Sequence, residues 1–414
     1  MAARHSFADE LAQRGEDAPI GLIDARGDAP WRVVGGIPLA TRLVRGLELA
    51  GVHDIRVLCD RARAPEALGA RQPATRVRVE SLGAGCPLAA APVPARDAIA
   101  VDGALVVDRR LLAALARAPE PCVVRPAPGA DEAVRLARLD ARSLAAFGAP
   151  LAASEGLRKL DPREVPTWSE QMRGHNPILF FDAASEDGAR TAEDALVRDT
   201  QKHVMDAPAR WVDPIFENAM LRRLAPTRIT PNQVTLASLA LGLVAAWWLW
   251  RGWLALALPA MLLVGWLDGV DGKLARLRLH YSRLGAAEAY FDFVYENAWW
   301  IALAAFLAGS GHGDAAVWAG VALVAGNLLD EIAYTLSGAW LGTSLDLLTP
   351  ADGAFRVIAG RRNVYVWILA LATLAGATWQ GFAACSVWAV VTALAHATRL
   401  SFALRSRPRS ESRV

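Results

Sequence analysis

Long apolar stretches crowd the second half of this chain and are missing from the first. Six stand out beyond Pro231: Val234–Trp250, Leu254–Leu267, Tyr290–Ala308, Ala315–Leu341, Val364–Thr378 and Gly381–Leu404. Several approach the ~20 residues that a helix needs to cross a bilayer, so the pattern predicts an all-α six-helix transmembrane bundle. The second run is short, but a motif with helical spacing extends it to headgroup depth. Just ahead, Trp211, Ile215, Phe216, Met220 and Leu224 recur at helical spacing, with Arg210, Arg222 and Arg223 between them. That segment reads equally as an amphipathic helix on the membrane surface and as a packed linker.

The first half is patterned differently. Short apolar runs at Pro19–Ile23, Asp54–Leu58, Arg76–Glu80, Ala98–Val101 and Cys122–Arg125 read as buried strands. Helical patterns at Leu39–Ala50 and Arg109–Ala116 separate some of them, and this alternation predicts an N-terminal α/β domain with a parallel sheet. The implied organisation is a cytoplasmic α/β domain over 1–205, a juxtamembrane helix and linker over 206–230, a transmembrane domain over 231–405 and a basic tail over 406–414.

Composition sharpens this in three ways. Lys and Arg number 44 against 42 Asp and Glu, a net charge of +2, so nothing points to nucleic acid. Cys59, Cys86, Cys122 and Cys385 have no metal-ligand spacing and read as reduced structural residues. The start, Met1–Gly15, is polar and charged, unlike a secretory signal. Basic residues also orient the spans. Lys273, Arg276, Arg278 and Arg283 follow the second run, Arg356, Arg361 and Arg362 follow the fourth, and Arg405, Arg407, Arg409 and Arg413 end the chain. The alternate turns are almost free of them. The expected topology is a multi-pass protein of the inner (cytoplasmic) membrane with both termini cytoplasmic.

Chemistry concentrates behind the second run, in Asp268-Gly-Val-Asp271-Gly272-Lys-Leu-Ala275-Arg276. On a helix Asp268, Asp271, Gly272 and Ala275 share one face. Acidic residues at the edge of a membrane segment are expensive and mark function by default. A second face, Gly285, Glu288, Asp292 and Glu296, follows at steps of three, four and four. Four like charges cannot be buried together without cations, and paired divalent metals are a device of phosphoryl chemistry.

The pattern Asp268-x2-Asp271-Gly272-x2-Ala275-Arg276-x8-Gly285 resembles the signature of the CDP-alcohol phosphotransferases, also called CDP-alcohol phosphatidyltransferases. In that family the motif continues Gly-x3-Asp-x3-Asp, whereas position 289 here is alanine. Two registers are open: Glu288 and Asp292, which needs the smaller gap and is preferred, or Asp292 and Glu296. The resemblance implies two Mg²⁺ or Mn²⁺ ions held by Asp268, Asp271, Glu288 and Asp292, with Asp292 as base. It implies CDP binding near Asn232, Gly272, Ala275, Arg276 and Gly285. Asn232 lies in Ile229-Thr230-Pro231-Asn232-Gln233-Val234-Thr235, where Thr230 and Pro231 suit a helix start. Arg356, Arg361 and Arg362 are candidates for a phosphate on the acceptor, or for plain positive-inside anchoring. Expected partners are a CDP-alcohol donor (CDP-diacylglycerol or a CDP-polyol), a hydroxyl acceptor and membrane lipid; a homodimer is admitted. Asn327, Asp330 and Glu331 are polar within the fourth run and read as cavity lining or internal pairs. An ion-coupled transporter explains the acids but not the Gly-x2-Ala-Arg context, and a catalytically dead scaffold is the third reading.

In the first half, Gly35-Gly36-Ile37-Pro38-Leu39-Ala40 followed by a helix and Ile55-Arg-Val-Leu58 resembles the beginning of sugar-nucleotide nucleotidyltransferases. Asp102-Gly103 stands where such enzymes hold a metal. The implied fold is nucleotidyltransferase-like, with a Rossmann-like sheet. The fusion is similar to bifunctional inositol-phosphate cytidylyltransferase/di-inositol-phosphate-phosphate synthases. The phosphate loop is replaced by Asp24-Ala-Arg26-Gly27-Asp28, short of glycines, and the lysine position holds Ile37, so the expectation is the fold without its catalysis.

Overall fold

Aliphatic runs bounded by Gly, Pro and Asp fold as strands in the first half of the chain, and longer ones fold as helices in the second. In this computed structural model the described residues are 18–60, 68–69, 71–83, 86–91, 96–125 and 132–406. Arg407, Arg409 and Arg413 of the basic tail lie outside them. Two compact units emerge: Met1–Glu170 with His175–Thr200 and Arg276–His280, and Gln171–Gly174 with Gln201–Ala275 and Tyr281–Val414.

The first unit holds a seven-stranded sheet built from β1 (Ile20–Asp24), β2 (Asp54–Cys59), β3 (Arg76–Ser81), β4 (Ala98–Asp102), β5 (Cys122–Val124), β6 (Leu136–Leu139) and β7 (Arg158–Leu160), in the order β7-β5-β6-β4-β1-β2-β3. The pairs among β1 to β4 are parallel, as the alternation predicts. β6 departs from the expectation, running antiparallel to both β4 and β5, so the sheet is mixed. Helices α1 (Leu39–Leu49) and α2 (Arg109–Arg117) pack Leu43, Leu47, Leu111, Leu112 and Leu115 onto Ile23, Ile55, Val57 and Val101. α2 starts where the Asp108 side chain accepts from the Arg110 amide, a cap that satisfies one orphan donor. Helix α3 (Glu186–Asp199) follows, capped by Ser185.

The second unit is helical: α4 (Ala207–Trp211), α5 (Asp213–Leu224), α6 (Pro231–Trp250), α7 (Leu254–Leu277), α8 (Arg283–Leu307), α9 (Gly313–Leu341), α10 (Pro350–Ile358), α11 (Arg362–Leu374) and α12 (Thr378–Arg405). Five stretches of the described residues are long and apolar enough to cross a membrane, where the sequence reading expects six. Its third and fourth runs fall in one stretch, Tyr290–Leu341, of 52 residues. That stretch is broken by non-helical backbone at Ser310 and Gly311, the latter at φ +103°, between α8 and α9. Gly311 supplies a conformation that a side chain would oppose. The chain is a multi-pass membrane protein.

Glycines sit where neighbouring helices leave no room for a side chain. A Cβ at Gly326 of α9 would lie 2.9 Å from Ala389 of α12, and one at Gly242 of α6 would lie 2.8 Å from the Tyr295 ring of α8. Such contacts let backbones approach where apolar burial offers little drive. Helix α5 is inverted relative to a soluble helix. Its acids Asp213 and Glu217 are buried, while Ile215 is 68% exposed. Asp213 accepts from Trp266 Nε1 at 3.0 Å, Phe216 stacks on the Trp266 ring, and Lys273 Nζ lies 2.8 Å from Glu217. The segment packs on α7 through its acids and turns Ile215 outward. Burial pushes the Glu217 carboxyl up, and Lys273 pulls it part of the way back.

Replacing Lys273 by methionine strands a buried carboxylate, a change that typically costs about 3 kcal/mol. Thermal unfolding in detergent should show a clear fall in midpoint for Lys273→Met. A double variant, Lys273→Met with Glu217→Leu, should recover much of it; no recovery would mean that the pair does not hold α5.

Candidate active site

Helix α7 runs unbroken from the apolar stretch through Leu277, so the acidic motif is its continuation and not a loop. Helix α8 starts after Ser282, whose hydroxyl accepts from the Gly285 amide at 3.0 Å. That cap fixes where Glu288, Asp292 and Glu296 fall. Helix α6 starts with a capping box: Thr230 accepts from the Gln233 amide, and Gln233 Oε1 accepts from the Thr230 amide. The sequence prediction of a cap at Thr230 and a first-turn proline at Pro231 holds.

These helices bring the acids together. One carboxylate oxygen each from Asp268, Asp271 and Glu288 lie within 4.8 Å of one another. Asp271 is 2% exposed. Its Oδ2 accepts from Thr235 Oγ1 at 2.6 Å, while its Oδ1 is buried with no hydrogen-bond partner among the described residues. An orphaned carboxylate oxygen beside two more carboxylates is a donor set for a hard cation. The residues present therefore fit a divalent metal.

Asp292 is placed on the cavity wall with Asp268 and Glu296. Its Oδ1 accepts from the Tyr295 hydroxyl at 2.7 Å and lies 3.6 Å from Arg362 Nη1. Glu296 is held apart by Asn327, whose amide donates to Oε1 at 3.1 Å. Arg362 donates to Asp268 and to the Tyr295 hydroxyl. It thus faces the acids, while the other two arginines are bound elsewhere: Arg361 lies 3.6 Å from Asp330, and Arg356 lies 4.0 Å from Asp346.

Of the residues that the resemblance links to CDP, Asn232 and Gly285 are joined through one hydroxyl: Ser282 Oγ donates to Asn232 Oδ1 at 2.6 Å and accepts from Gly285. Gly272 and Ala275 lie on the acidic face of α7. Arg276 is used otherwise, its Nε donating to the Thr200 carbonyl at 2.9 Å. A cavity of about 300 Å³ is walled by acids at Asp268, Asp292 and Glu296 and by basic residues at Arg173, Arg356 and Arg361. Asn327, Asp330 and Glu331 line it as well.

Sequence reasoning passed over Thr235, Tyr295 and Arg173. Thr235 carried a signal, since it follows Asn232 by three and so shares its face. Tyr295 carried one too, three residues beyond Asp292. Arg173 carried none.

In the first unit, Asp24 and Asp102 sit side by side on β1 and β4, at the carboxyl ends where α/β sheets take ligands. Both are occupied by arginine. Arg26 donates to both oxygens of Asp24, and Arg135 bridges Asp102 and Asp182.

Residues 228–398 match the family model for CDP-alcohol phosphatidyltransferases. Over 84 residues the chain is 39% identical to Inner membrane protein YnjF of Escherichia coli (strain K12), a match spanning 20% of this chain and 40% of that protein. A crystal structure of Mycobacterium tuberculosis phosphatidylinositol phosphate synthase (PgsA1) with CDP-DAG bound aligns over 50% of this chain and 98% of its own, at 18% identity and a TM-score of 0.38. The helical half of the chain carries a CDP-alcohol phosphatidyltransferase domain, and that family is a family of transferases.

Removing one of a few carboxylates around a hard cation lowers affinity by about tenfold or more. Titration of Mn²⁺ followed by electron paramagnetic resonance should show that loss for Asp271→Asn and Glu288→Gln. Glu296→Gln should stay within about twofold, because Asn327 already holds that carboxylate. The reverse order would move the site one turn along α8.

Proposed function

We propose that this protein is an integral-membrane phosphotransferase that moves a substituted phosphate from a CDP-alcohol to an acceptor hydroxyl and releases CMP. The approach of Asp268, Asp271 and Glu288 to within 4.8 Å, inside a CDP-alcohol phosphatidyltransferase domain, carries this reading. Two Mg²⁺ or Mn²⁺ ions held by Asp268, Asp271, Glu288 and Asp292 would neutralise the diphosphate and stabilise the leaving oxygen.

The chain's own residues supply the rest. The acceptor oxygen attacks the β-phosphorus and forms a new O–P bond. The bond from that phosphorus to the oxygen shared with CMP breaks, and CMP keeps the electron pair. Asp292 takes the hydroxyl proton at Oδ2, since Tyr295 holds Oδ1 in place. A carboxylate is a weak base, so positioning and charge stabilisation contribute most of the acceleration. Gly272 and Ala275 leave room for the cytidine diphosphate, with Asn232 and Gly285 beside it. Arg362 guards the acids and moves between them and the donor's phosphates. Arg356 and Arg361 receive a phosphate on the acceptor, because a guanidinium fork matches an oxyanion bidentately.

The protein is assigned to the inner membrane, with six spans and both termini in the cytoplasm, which places the motif on the side where CDP-alcohols are made. The basic residues beyond the second and fourth apolar runs support that orientation. The donor is CDP-diacylglycerol or a CDP-polyol. The α/β unit is read as nucleotidyltransferase-like and inactive, its Asp24 and Asp102 being tied to Arg26 and Arg135.

Purified protein with CDP-alcohols, hydroxyl acceptors and Mg²⁺ should release CMP, and EDTA should stop it. Asp268→Asn and Asp271→Asn should each lower turnover by about 10³-fold or more while the protein still elutes as folded. Near-normal turnover in either variant contradicts the assignment. Glu288→Gln should be severe and Glu296→Gln mild.

The same full-length protein supplied with CTP and a panel of polyol phosphates should release no pyrophosphate above a blank. Clear release would show a working nucleotidyltransferase despite the arginine-bound acids.

A further inference from the structure

Arg173 lies outside the transferase domain of residues 228–398, yet it stands on the wall of the same cavity as Asp268, Arg356 and Arg361. It belongs to Gln171–Gly174, a four-residue segment that clusters with the helical unit although the chain on either side clusters with the sheet. The segment is pinned there. The His203 amide donates to the Met172 carbonyl at 2.9 Å. Gly174 packs so closely on the His203 ring that an added Cβ would lie 2.7 Å from it. Arg173 itself has φ +55°, a left-handed conformation that a non-glycine residue keeps only where its surroundings impose it.

Its side chain is anchored as firmly. Arg173 Nη1 donates at 2.8 Å to Oδ2 of Asp346, a carboxylate with 0% side-chain exposure. Arg356 reaches that same oxygen at 4.0 Å. A single buried acid therefore orients two guanidinium groups toward one space. Arg361 is oriented separately, 3.6 Å from Asp330 and 4.3 Å over the Tyr334 ring; His396 bonds to that Asp330 as well. The Nε atoms of Arg356 and Arg361 are buried with no hydrogen-bond partner among the described residues. The guanidinium side chains of Arg173, Arg356 and Arg361 on the wall of one cavity suit an anionic ligand, whose oxygens a planar fork can meet bidentately.

We propose that Arg173, held by Asp346, completes with Arg356 and Arg361 a site for a phosphate monoester on the acceptor, so that the chain ahead of the transferase domain contributes directly to acceptor selection. This rests on the transferase reading given above. Asp346 is a positioning residue; Arg173 is the one that meets the ligand. The phosphate monoester could belong to a soluble polyol phosphate or to a lipid headgroup, which share this chemistry.

The test uses the full-length protein in nanodiscs. CMP release is measured against a soluble polyol phosphate, the same polyol without phosphate, and vesicles containing a phosphatidylinositol phosphate. Arg173→Gln should raise KM for the phosphorylated acceptor about tenfold or more, with kcat within about twofold and KM for the CDP-alcohol unchanged. Arg173→Lys should recover part of the loss, and Asp346→Asn should resemble Arg173→Gln in KM. Whichever phosphorylated acceptor shows the KM effect is the source. Calorimetric binding of the polyol phosphate, without donor, should weaken in the same variants and persist in Asp268→Asn. An unchanged KM and unchanged binding in Arg173→Gln would overturn the proposal, as would an equal fall in kcat with phosphorylated and unphosphorylated acceptors. If wild type binds the polyol phosphate through Arg173 but releases no CMP, the phosphate site stands and the transferase reading fails.

Discussion

Carboxylates gathered at the edge of a membrane must be neutralised, and most of this architecture follows from that requirement. Asp268, Asp271, Glu288 and Asp292 are too close for all to carry charge without positive partners. The protein itself offers Arg362, which reaches Asp268 and lies near Asp292, and the hydroxyls of Thr235 and Tyr295. One cation and two hydroxyls fall short of four acids. Asp271 Oδ1 shows the shortfall directly, being buried without a hydrogen bond among the described residues. The carboxylates of Asp268, Asp271 and Glu288 form a donor set that fits a divalent ion.

The same logic organises the surroundings. Glu217 and Lys273 pair where α5 meets α7, and Asp213 accepts from Trp266 one turn away. These contacts hold the helix that carries Asp268 and Asp271 while leaving α5 with an apolar outward face. Across the cavity Asp346 and Asp330 each serve arginine residues. Buried ion pairs of this sort are weak sources of stability but strong sources of orientation. They turn long flexible side chains into fixed donors.

Much of the fold was legible because its signals are local. The expected strands at Asp54–Leu58 and Ala98–Val101 appear as Asp54–Cys59 and Ala98–Asp102, and the Thr230 cap is where its sequence places it. Helical spacing alone brought Asp268 and Asp271 to one face. What the sequence could not show depends on distant residues. The antiparallel strand Leu136–Leu139 has no feature that separates it from a parallel one. The third and fourth apolar runs share the stretch Tyr290–Leu341, where only the kink at Ser310 and Gly311 separates α8 from α9. The register of the second acidic face stayed open in the sequence, since Glu288, Asp292 and Glu296 all obey the same period. Folded, Glu288 approaches Asp268 and Asp271 whereas Glu296 turns to Asn327. Arg361 and Arg362, read as candidates for an acceptor phosphate or for positive-inside anchoring, line one cavity, and the ion pair of Arg362 with Asp268 is a long-range contact that no local pattern announces.

The most direct measurement is anomalous scattering from crystals grown with Mn²⁺ and a CDP-alcohol. The account predicts manganese density against the carboxylates of Asp268, Asp271 and Glu288, with Arg362 withdrawn from Asp268 toward the diphosphate. Bound nucleotide with no manganese at those carboxylates, or manganese centred on Glu296, would contradict it.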